Sequence, residues 1–198
     1  MSRSSSMLSL DRQATLGLSL IYAFRMLGLF MILPVFSVYA STLSATTPFW
    51  VGVTIGVYGV SQVLLQIPFG WASDKFGRKP IIMVGLLFFA IGSIVAGSST
   101  TIYGVFIGRA IQGAGAVSSA TMALLSDLTQ EENRTKAMAM IGMTIGLSFA
   151  VSIVLGPLLS HYIGVAGIFF VTAGLALCGI ALLYTLVPTP KISVIHHD

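Results

Sequence analysis

The chain has 198 residues, of which 56% are hydrophobic and only 8% are charged. Its mean hydropathy is +0.96, whereas soluble domains carry roughly 25% charged residues, so the composition excludes a water-soluble globule and indicates a lipid environment. One cysteine, Cys178, and three histidines without ligand-like spacing, His161, His196 and His197, provide neither a disulfide framework nor a metal motif. A net charge of +4 would suit nucleic-acid binding, but the positions of the charges argue against it.

Six apolar stretches follow a polar N-terminal segment at residues 1–13. Each is long enough to cross about 30 Å of hydrocarbon as a helix, and none shows the period-2 alternation of a membrane strand. The first stretch is too long for a signal-peptide core, so we expect it to be retained. The sequence therefore predicts an all-α membrane protein, a six-transmembrane-helix bundle at residues 14–188. The predicted spans are Ala14–Tyr39, Phe49–Ala72, Ile81–Ser98, Ile102–Ser126, Ala137–Ser160 and Val165–Val187.

The charges between the spans predict their orientation. The connections around residues 41–48, 99–101 and 161–164 contain no lysine or arginine, so every loop cation belongs to the opposite face. Cationic loops remain cytoplasmic, and we therefore expect both termini inside the cell. This asymmetry explains the basic charge without nucleic acid. The cations are Arg3, Arg12, Lys75, Arg78, Lys79, Arg134, Lys136 and Lys191.

Glycines recur at the spacing that lets membrane helices pack closely. Such G-x-x-x-G pairs allow two backbones to approach and gain van der Waals contact. We expect them to mark helix–helix contacts. The pairs are Gly52 with Gly56, Gly104 with Gly108, and Gly142 with Gly146.

Two arginines lie inside predicted spans, where a cation costs about 2.5–3.5 kcal/mol at the helix centre. Arg25 is roughly three turns into its helix, so we expect it to face an aqueous cavity. Arg109 is nearer the start of its span. It either faces the same cavity or extends towards the outer membrane interface.

Polar residues at helical spacing form stripes on four predicted spans. A polar stripe on a membrane helix turns inward, so the four predict a central substrate cavity. The alternative is that the side chains only bond between helices, at about 0.6 kcal/mol each. The stripes contain Tyr22 and Arg25; Tyr58, Gln62 and Gln66; Arg109, Gln112, Ala116 and Ser119; and Thr144, Ser148 and Ser152.

The second loop contains the most specific motif, which resembles the G-x-x-x-D-[RK]-x-G-[RK]-[RK] signature of the major facilitator superfamily. Its glycines allow close packing and a tight turn, its aspartate suits a helix N-terminus or an arginine, and the following Pro80 suits a first helical position. The alternative is that its cations only set the topology. The matching residues are Gly70, Asp74, Lys75, Gly77, Arg78 and Lys79.

Other segments resemble the same superfamily from about Ala14 to Pro188. Residues 109–116 resemble its R-x-x-Q-G-x-G-A pattern, and Asp127 with Arg134 resembles the acidic and basic residues that follow it. Residues 24–34 and 123–129 resemble the bacterial YajR-type branch. Four further residues partly match the fifth helix of proton-coupled drug antiporters, where they would serve in packing: Gly142, Gly146, Gly156 and Pro157.

The resemblance implies the N-terminal half of a major facilitator fold, made of 3+3 inverted repeats, with residues 189–198 beginning the inter-bundle linker. Its relatives place the substrate between two bundles and work by alternating access. We expect proton-coupled efflux of a small molecule across a bacterial inner membrane, without a cofactor. The partners would be lipid and a missing C-terminal half or a second copy. The alternative is an orphan half that transports nothing alone and acts as a scaffold.

The same resemblance implies a cytoplasmic lock formed by Asp74, Arg78 and Asp127. No Asp or Glu lies inside a predicted span, and Arg25 stands where several drug antiporters carry an acid. An anionic or neutral substrate, or a carboxylate from the missing half, therefore suits the charges better than a cationic drug. An intramembrane serine protease is not supported by His161 beside Ser160, and no span has the arginine spacing of a voltage sensor.

Overall fold

The computed structural model describes the backbone of residues 2–189 and the side chains of residues 11–189. The side chain of Arg3, together with Lys191, His196, His197 and nearly all of the predicted linker, lies outside these limits. The described secondary structure is helical apart from an isolated bridge between Ser44 and Thr101. The helices are α1 (Ser2–Ala40), α2 (Pro48–Phe76), α3 (Arg78–Gly97), α4 (Ile102–Ala114), α5 (Ser118–Leu128) and α6 (Glu131–Thr185).

The apolar runs become helices because a membrane-embedded backbone must satisfy its own hydrogen bonds. Four helices are long and apolar enough to cross a membrane: α1 from Asp11, α2, α3 and α6. Threonines cap two of the starts: Thr47 accepts a hydrogen bond from the Trp50 amide at 3.3 Å, and Thr101 accepts one from the Gly104 amide at 3.2 Å. These caps fix where α2 and α4 begin.

The fourth predicted span is two consecutive helices, so its prediction as one continuous helix was wrong. Helix α4 ends at Ala114 and α5 begins at Ser118. A Cβ on Gly115 would collide with the Gly85 carbonyl of α3, and one on Gly113 would collide with the Tyr58 carbonyl of α2. This close approach of the chain to both neighbours requires residues without a side chain at these two positions.

The fifth and sixth predicted spans lie within α6, whose 55 residues are interrupted at Gly164 (φ 69°, ψ 171°). Before this residue, Ser152 bonds to the Leu27 carbonyl and Gly156 contacts Met31, so the segment runs parallel to α1. After it, Thr172 bonds to the Gly28 carbonyl and Val187 contacts Gly17, so the chain continues antiparallel to α1. The chain therefore reverses at Gly164, and the six-span architecture is confirmed.

Helix α1 lies between the two arms of α6 and also packs against the α3–α5 region. Three apolar clusters fill the interior: a larger one towards each end of the bundle, and a small one around Tyr58 and Phe89. The cluster nearer the chain termini contains Leu18, Ile21, Leu86, Leu124, Leu125, Ile141 and Leu183. The cluster at the opposite end contains Phe36, Ile102, Val105, Ile168 and Phe169. The polar site lies between them.

The glycines predicted to pack between helices differ in their contacts. Gly108 packs against Ala96 and the Gly92 carbonyl of α3, and Gly156 packs against α1 beside Pro34, as predicted for helix contacts. Gly104 contacts the adjoining turn at Ser99 and Thr101. The remaining predicted contacts have no partner among the described residues, because nothing lies within 4 Å of a Cβ built on Gly52, Gly56, Gly142 or Gly146.

Candidate functional site

Arg25 lies near the middle of the apolar part of α1, about 20 Å from either end at 1.5 Å per residue. Its side chain is buried, with only 2% of the residue exposed. One terminal nitrogen donates to the Ser118 hydroxyl at 3.2 Å. The other donates to the Tyr58 hydroxyl at 3.0 Å and to the Gly115 carbonyl at 3.4 Å. Arg25 therefore binds the break between α4 and α5 directly.

Arg109 forms the second buried cation of the site, also with 2% exposure. Its guanidinium donates to the Gln112 side-chain oxygen at 2.9 Å and lies over the Tyr58 ring, 4.8 Å from the ring centroid. The Gln112 amide in turn donates to the Ser93 hydroxyl of α3 at 2.6 Å. These contacts place Arg109 inside the bundle, which excludes the outer interface as its position here.

Tyr58 joins the two arginines, because its hydroxyl accepts from Arg25 while its ring lies under Arg109. Neither guanidinium forms an ion pair with a carboxylate among residues 11–189. The Nε of Arg25 is buried and has no hydrogen-bond partner within the same residues. The centre of the bundle thus concentrates two positive charges whose described partners are hydroxyls, an amide, a carbonyl and aromatic rings.

Two further predicted residues reach this arginine cluster, which we define as Arg25, Tyr58, Arg109, Gln112 and Ser118. The Tyr22 hydroxyl donates to the Ser118 carbonyl at 3.4 Å, and the Gln62 amide donates to the Ser118 hydroxyl at 3.4 Å. Three of the four predicted stripes therefore converge, on α1, α2 and α4.

The remaining predicted cavity residues do not join the hydrogen-bond network. Gln66 contributes its backbone carbonyl, which accepts from Ser119 at 3.1 Å. Thr144 bonds to the Met140 carbonyl of its own helix at 2.9 Å, and Ser152 bonds to α1. Ser148 is buried but makes no described side-chain bond to the cluster. The fifth-span stripe therefore has no described hydrogen bond to the cluster, and its place in a substrate cavity stays a prediction.

Sequence reasoning missed Ser118 and Ser93, which connect the predicted residues. Ser118 is the first residue of α5 and receives bonds from two neighbouring helices. The Gly-Ala-Gly-Ala segment just before it was the available signal, because closely spaced glycines favour a break where polar side chains gather. Ser93 gave no comparable signal within its apolar helix.

The signature loop forms a second polar group at one end of the bundle. Arg78 pairs with Asp74 and, through Nε, with Asp127 at 3.1 Å. It also donates to the Ser73 hydroxyl at 2.8 Å. The predicted Asp74–Arg78–Asp127 network is therefore present, and it links the end of α2 and the start of α3 to the end of α5.

The other motif residues have separate contacts. Gly77 has φ 94° and ψ 149°, a conformation almost restricted to glycine, and Gly70 faces Ser119. Lys79 is largely buried and donates to the Val187 carbonyl at 2.5 Å, whereas Lys75 lies over Trp71, 5.2 Å from the ring centroid.

Arg134 was predicted beside Asp127 in the motif pattern, but its described bond goes to the Ser126 carbonyl at 3.3 Å. Asp11 accepts from the Asn133 amide nitrogen at 3.1 Å, so the start of the first span adjoins the start of α6. Together with the Arg78 network, these contacts gather the cationic connections at one end. The Ser44–Thr101 bridge lies at the other end and involves only uncharged connections.

Comparisons with known proteins agree with this architecture. A family model described as Major Facilitator Superfamily matches residues 18–196. The inner membrane transport protein YajR of Escherichia coli is 48% identical over 188 residues, covering 95% of this chain and 41% of YajR. The class H tetracycline resistance protein of Pasteurella multocida is 35% identical over 114 residues, covering 57% of this chain and 28% of that protein.

The crystal structure of the human organic anion transporter MFSD10 (TETRAN) has a TM-score of 0.75 at 19% identity, covering 91% of this chain and 48% of that one. This similarity is evidence for the fold alone. The chain spans less than half the length of each of these three proteins. Its apolar helices and its similarity to YajR establish a multi-pass membrane protein. The family match shows that the chain belongs to the major facilitator superfamily, a family of transporters and not of enzymes.

Proposed function

We propose that this chain is the N-terminal half of a secondary active transporter, which moves a small molecule by alternating access. The observation that carries the proposal is the arginine cluster at mid-span. A cation buried in the membrane costs free energy, so a membrane protein keeps one only where it serves a function. Here two buried cations both contact Tyr58. The substrate would meet this cluster at Ser118 and the neighbouring Gln62, which are only partly buried.

The charge of the cluster favours an anionic or neutral substrate over a cation. Within the described spans the two guanidinium groups lack an acidic partner, so a positively charged molecule beside them would be repelled. A carboxylate from a second bundle is the other source of compensation. We also propose proton-coupled efflux, in which Asp74 and Asp127 would take up the proton. The similarity to a relative named as a tetracycline resistance protein supports efflux as the direction.

The Asp74–Arg78–Asp127 network would be the lock of the alternating-access cycle. It ties α2, α3 and α5 together at the cationic end, which we place in the cytoplasm of a bacterial cell, with both termini on that side. Both aspartates are substantially exposed, with 63% and 42% of their side chains accessible. Exposed pairs contribute about 0–1 kcal/mol each, weak enough to break and re-form during transport.

A second six-helix bundle would complete the transporter. Helix α2 and the 131–163 arm of α6 leave Gly52, Gly56, Gly142 and Gly146 open within the described chain, and large apolar side chains beside them are exposed, including Leu64 at 68%. A missing half or a second copy would cover part of this surface and lipid the rest. If neither is available, the chain would act as a scaffold without transport.

Uptake into proteoliposomes under an imposed proton gradient tests the proposal. Three probes share one ring but differ in charge: benzenesulfonate, benzenesulfonamide and benzyltrimethylammonium. The chain is reconstituted alone at rising protein density and then with the C-terminal bundle of YajR. We expect uptake of the anionic or neutral probe, and a rise steeper than linear with density if two copies assemble.

Variants assign that uptake to the cluster. Arg25→Gln and Arg109→Gln should each abolish it, whereas Thr185→Val removes an exposed hydroxyl that bonds only within its own helix and should leave it unchanged. A gradient-driven flux that survives both arginine substitutions would contradict the proposed site. Absence of flux in every reconstitution would support the scaffold instead.

A further inference from the structure

We propose that a groove between α1 and α6 binds one anionic phospholipid, with its phosphate held by Arg12 and Lys136 and an acyl chain lying along the apolar wall below them. The groove has a volume of about 490 Å³ and opens at the cationic end of the bundle. The site does not overlap the arginine cluster or the signature loop. Its lining residues are Asp11, Arg12, Thr15, Leu16, Asn133, Lys136, Ala137 and Met140.

The lining changes from charged to apolar along the helix axis. Arg12 and Lys136 are exposed cations at one end, whereas Leu16 and Met140 lie one turn further into their helices, and Ala137 directly follows Lys136. The predicted first span begins at Ala14, so the cations stand at the level where the hydrocarbon ends. A phospholipid has the same order of groups, with its phosphate at the interface and its chain directly below.

The charges of the groove favour an anion. Asp11 is the one acidic residue in the lining, and its carboxylate is turned towards the start of α6, where it accepts from the Asn133 side chain at 3.1 Å and the Gln130 amide at 3.5 Å. This residue is 9% exposed. Neither Arg12 nor Lys136 forms an ion pair within residues 11–189, so both remain available to a phosphate.

A diacyl lipid matches both the cationic end of the groove and its apolar wall, whereas a free phosphate would match the cationic end alone. Most of the surface that lines the groove is apolar. An acyl chain held beside this wall by its headgroup would make van der Waals contact with the hydrophobic side chains. Attraction of an anionic headgroup to Lys or Arg near a membrane surface is worth about a fivefold change in affinity for each cation. Two cations therefore predict selectivity of about 25-fold for an anionic over a zwitterionic headgroup.

Native mass spectrometry of the chain, released from micelles containing equal amounts of phosphatidylglycerol and phosphatidylcholine, tests this proposal. We expect one phosphatidylglycerol to be retained preferentially. Lys136→Gln and Arg12→Gln should each reduce its retention about fivefold, and the double variant should remove the preference. The matched control is Lys75→Gln, which removes an exposed cation outside the groove and should leave retention unchanged.

Two further arms separate the phospholipid from other occupants. Leu16→Trp narrows the apolar wall while keeping both cations, and it should reduce lipid retention without affecting the melting temperature. Inorganic phosphate or glycerol 3-phosphate should fail to compete. The proposal is overturned if these soluble anions displace the lipid, if retention is equal for both headgroups, or if Lys75→Gln reduces retention as much as Lys136→Gln.

Discussion

Arg25 combines a structural and an electrostatic task in one side chain. Its fork reaches Ser118, Tyr58 and the Gly115 carbonyl, and the last of these groups belongs to the break where helical bonding is interrupted. The planar guanidinium spans three acceptors at once, which a lysine ammonium at the end of a flexible chain cannot do. The fourth span is therefore held in its broken form by a residue from the first.

Arg25→Lys should lower the free energy of unfolding, because the charge stays while buried acceptors lose their donors. Each unsatisfied buried group costs about 1–3 kcal/mol, and we expect a total loss within or slightly above that range. Unfolding in mixed micelles, followed by tryptophan fluorescence, measures it. Arg12→Lys, an exposed site, provides the comparison and should change the stability by less than about 0.5 kcal/mol. Equal effects at the two sites would show that the fork geometry is irrelevant.

At the scale of the helices, two glycines of α6, Gly164 and Gly174, have different structural roles. Gly164 adopts φ 69° and ψ 171° at the reversal within α6, a region that side chains with a Cβ almost never occupy. Gly174 lies inside the second arm with nothing within 4 Å of its Cβ position. The first glycine is required by the backbone, whereas the second only weakens a helix.

Substituting alanine should therefore have opposite effects at these two positions. Gly164→Ala should destabilise the fold by about 1–3 kcal/mol through backbone strain alone, because no atom lies within 4 Å of the new methyl group. Gly174→Ala should stabilise it by about 0.5–1 kcal/mol. Unfolding midpoints of the two variants, measured side by side, check the difference in sign. Two shifts in the same direction would argue against the reversal at Gly164.

The sequence predicted the features that depend on neighbouring residues better than those that depend on contacts between helices. The spans, the position of the loop cations at one end of the bundle and the Asp74–Arg78 pair all depend on residues close together in the sequence, so a single sequence is enough to predict them. Gly108 and Gly142 stand in the same G-x-x-x-G spacing, yet only Gly108 meets another helix, because the partner is set by tertiary packing. The break before Ser118 was missed because Gly-Ala-Gly-Ala is as apolar as the helix around it, so that its closely spaced glycines were the one local sign of a break.

At the scale of the whole molecule, the signature loop connects groups distant in sequence. Arg78 joins the ends of α2 and α5, and the neighbouring Lys79 donates to the Val187 carbonyl just beyond α6. The ends of α2, α5 and α6 and the start of α3 thus meet at one end of the described bundle. A movement of these helices relative to one another must break several of these contacts together.

Asp74→Asn should shift the transport cycle while barely altering stability. The exposed pair contributes about 0–1 kcal/mol, so unfolding should change by no more than that, whereas loss of one anchor of Arg78 should change the proton-driven flux severalfold. Proteoliposome uptake and unfolding, measured on the same preparations, separate the two effects. Glu132→Gln removes a different exposed carboxylate at the same end and should alter neither. Unchanged flux in Asp74→Asn would rule out the proposed lock.

The partners of Arg25 have a consequence for biosynthesis. Ser118 lies 93 positions after Arg25, and Tyr58 lies 33 positions after it. At about 5–20 residues per second, the ribosome needs roughly 5–20 seconds to deliver Ser118 once Arg25 has been made. During that interval the guanidinium of the first helix lacks the hydroxyl of Ser118. The helix must therefore stay beside the translocon or an insertase, where water can solvate Arg25, until the later helices are made.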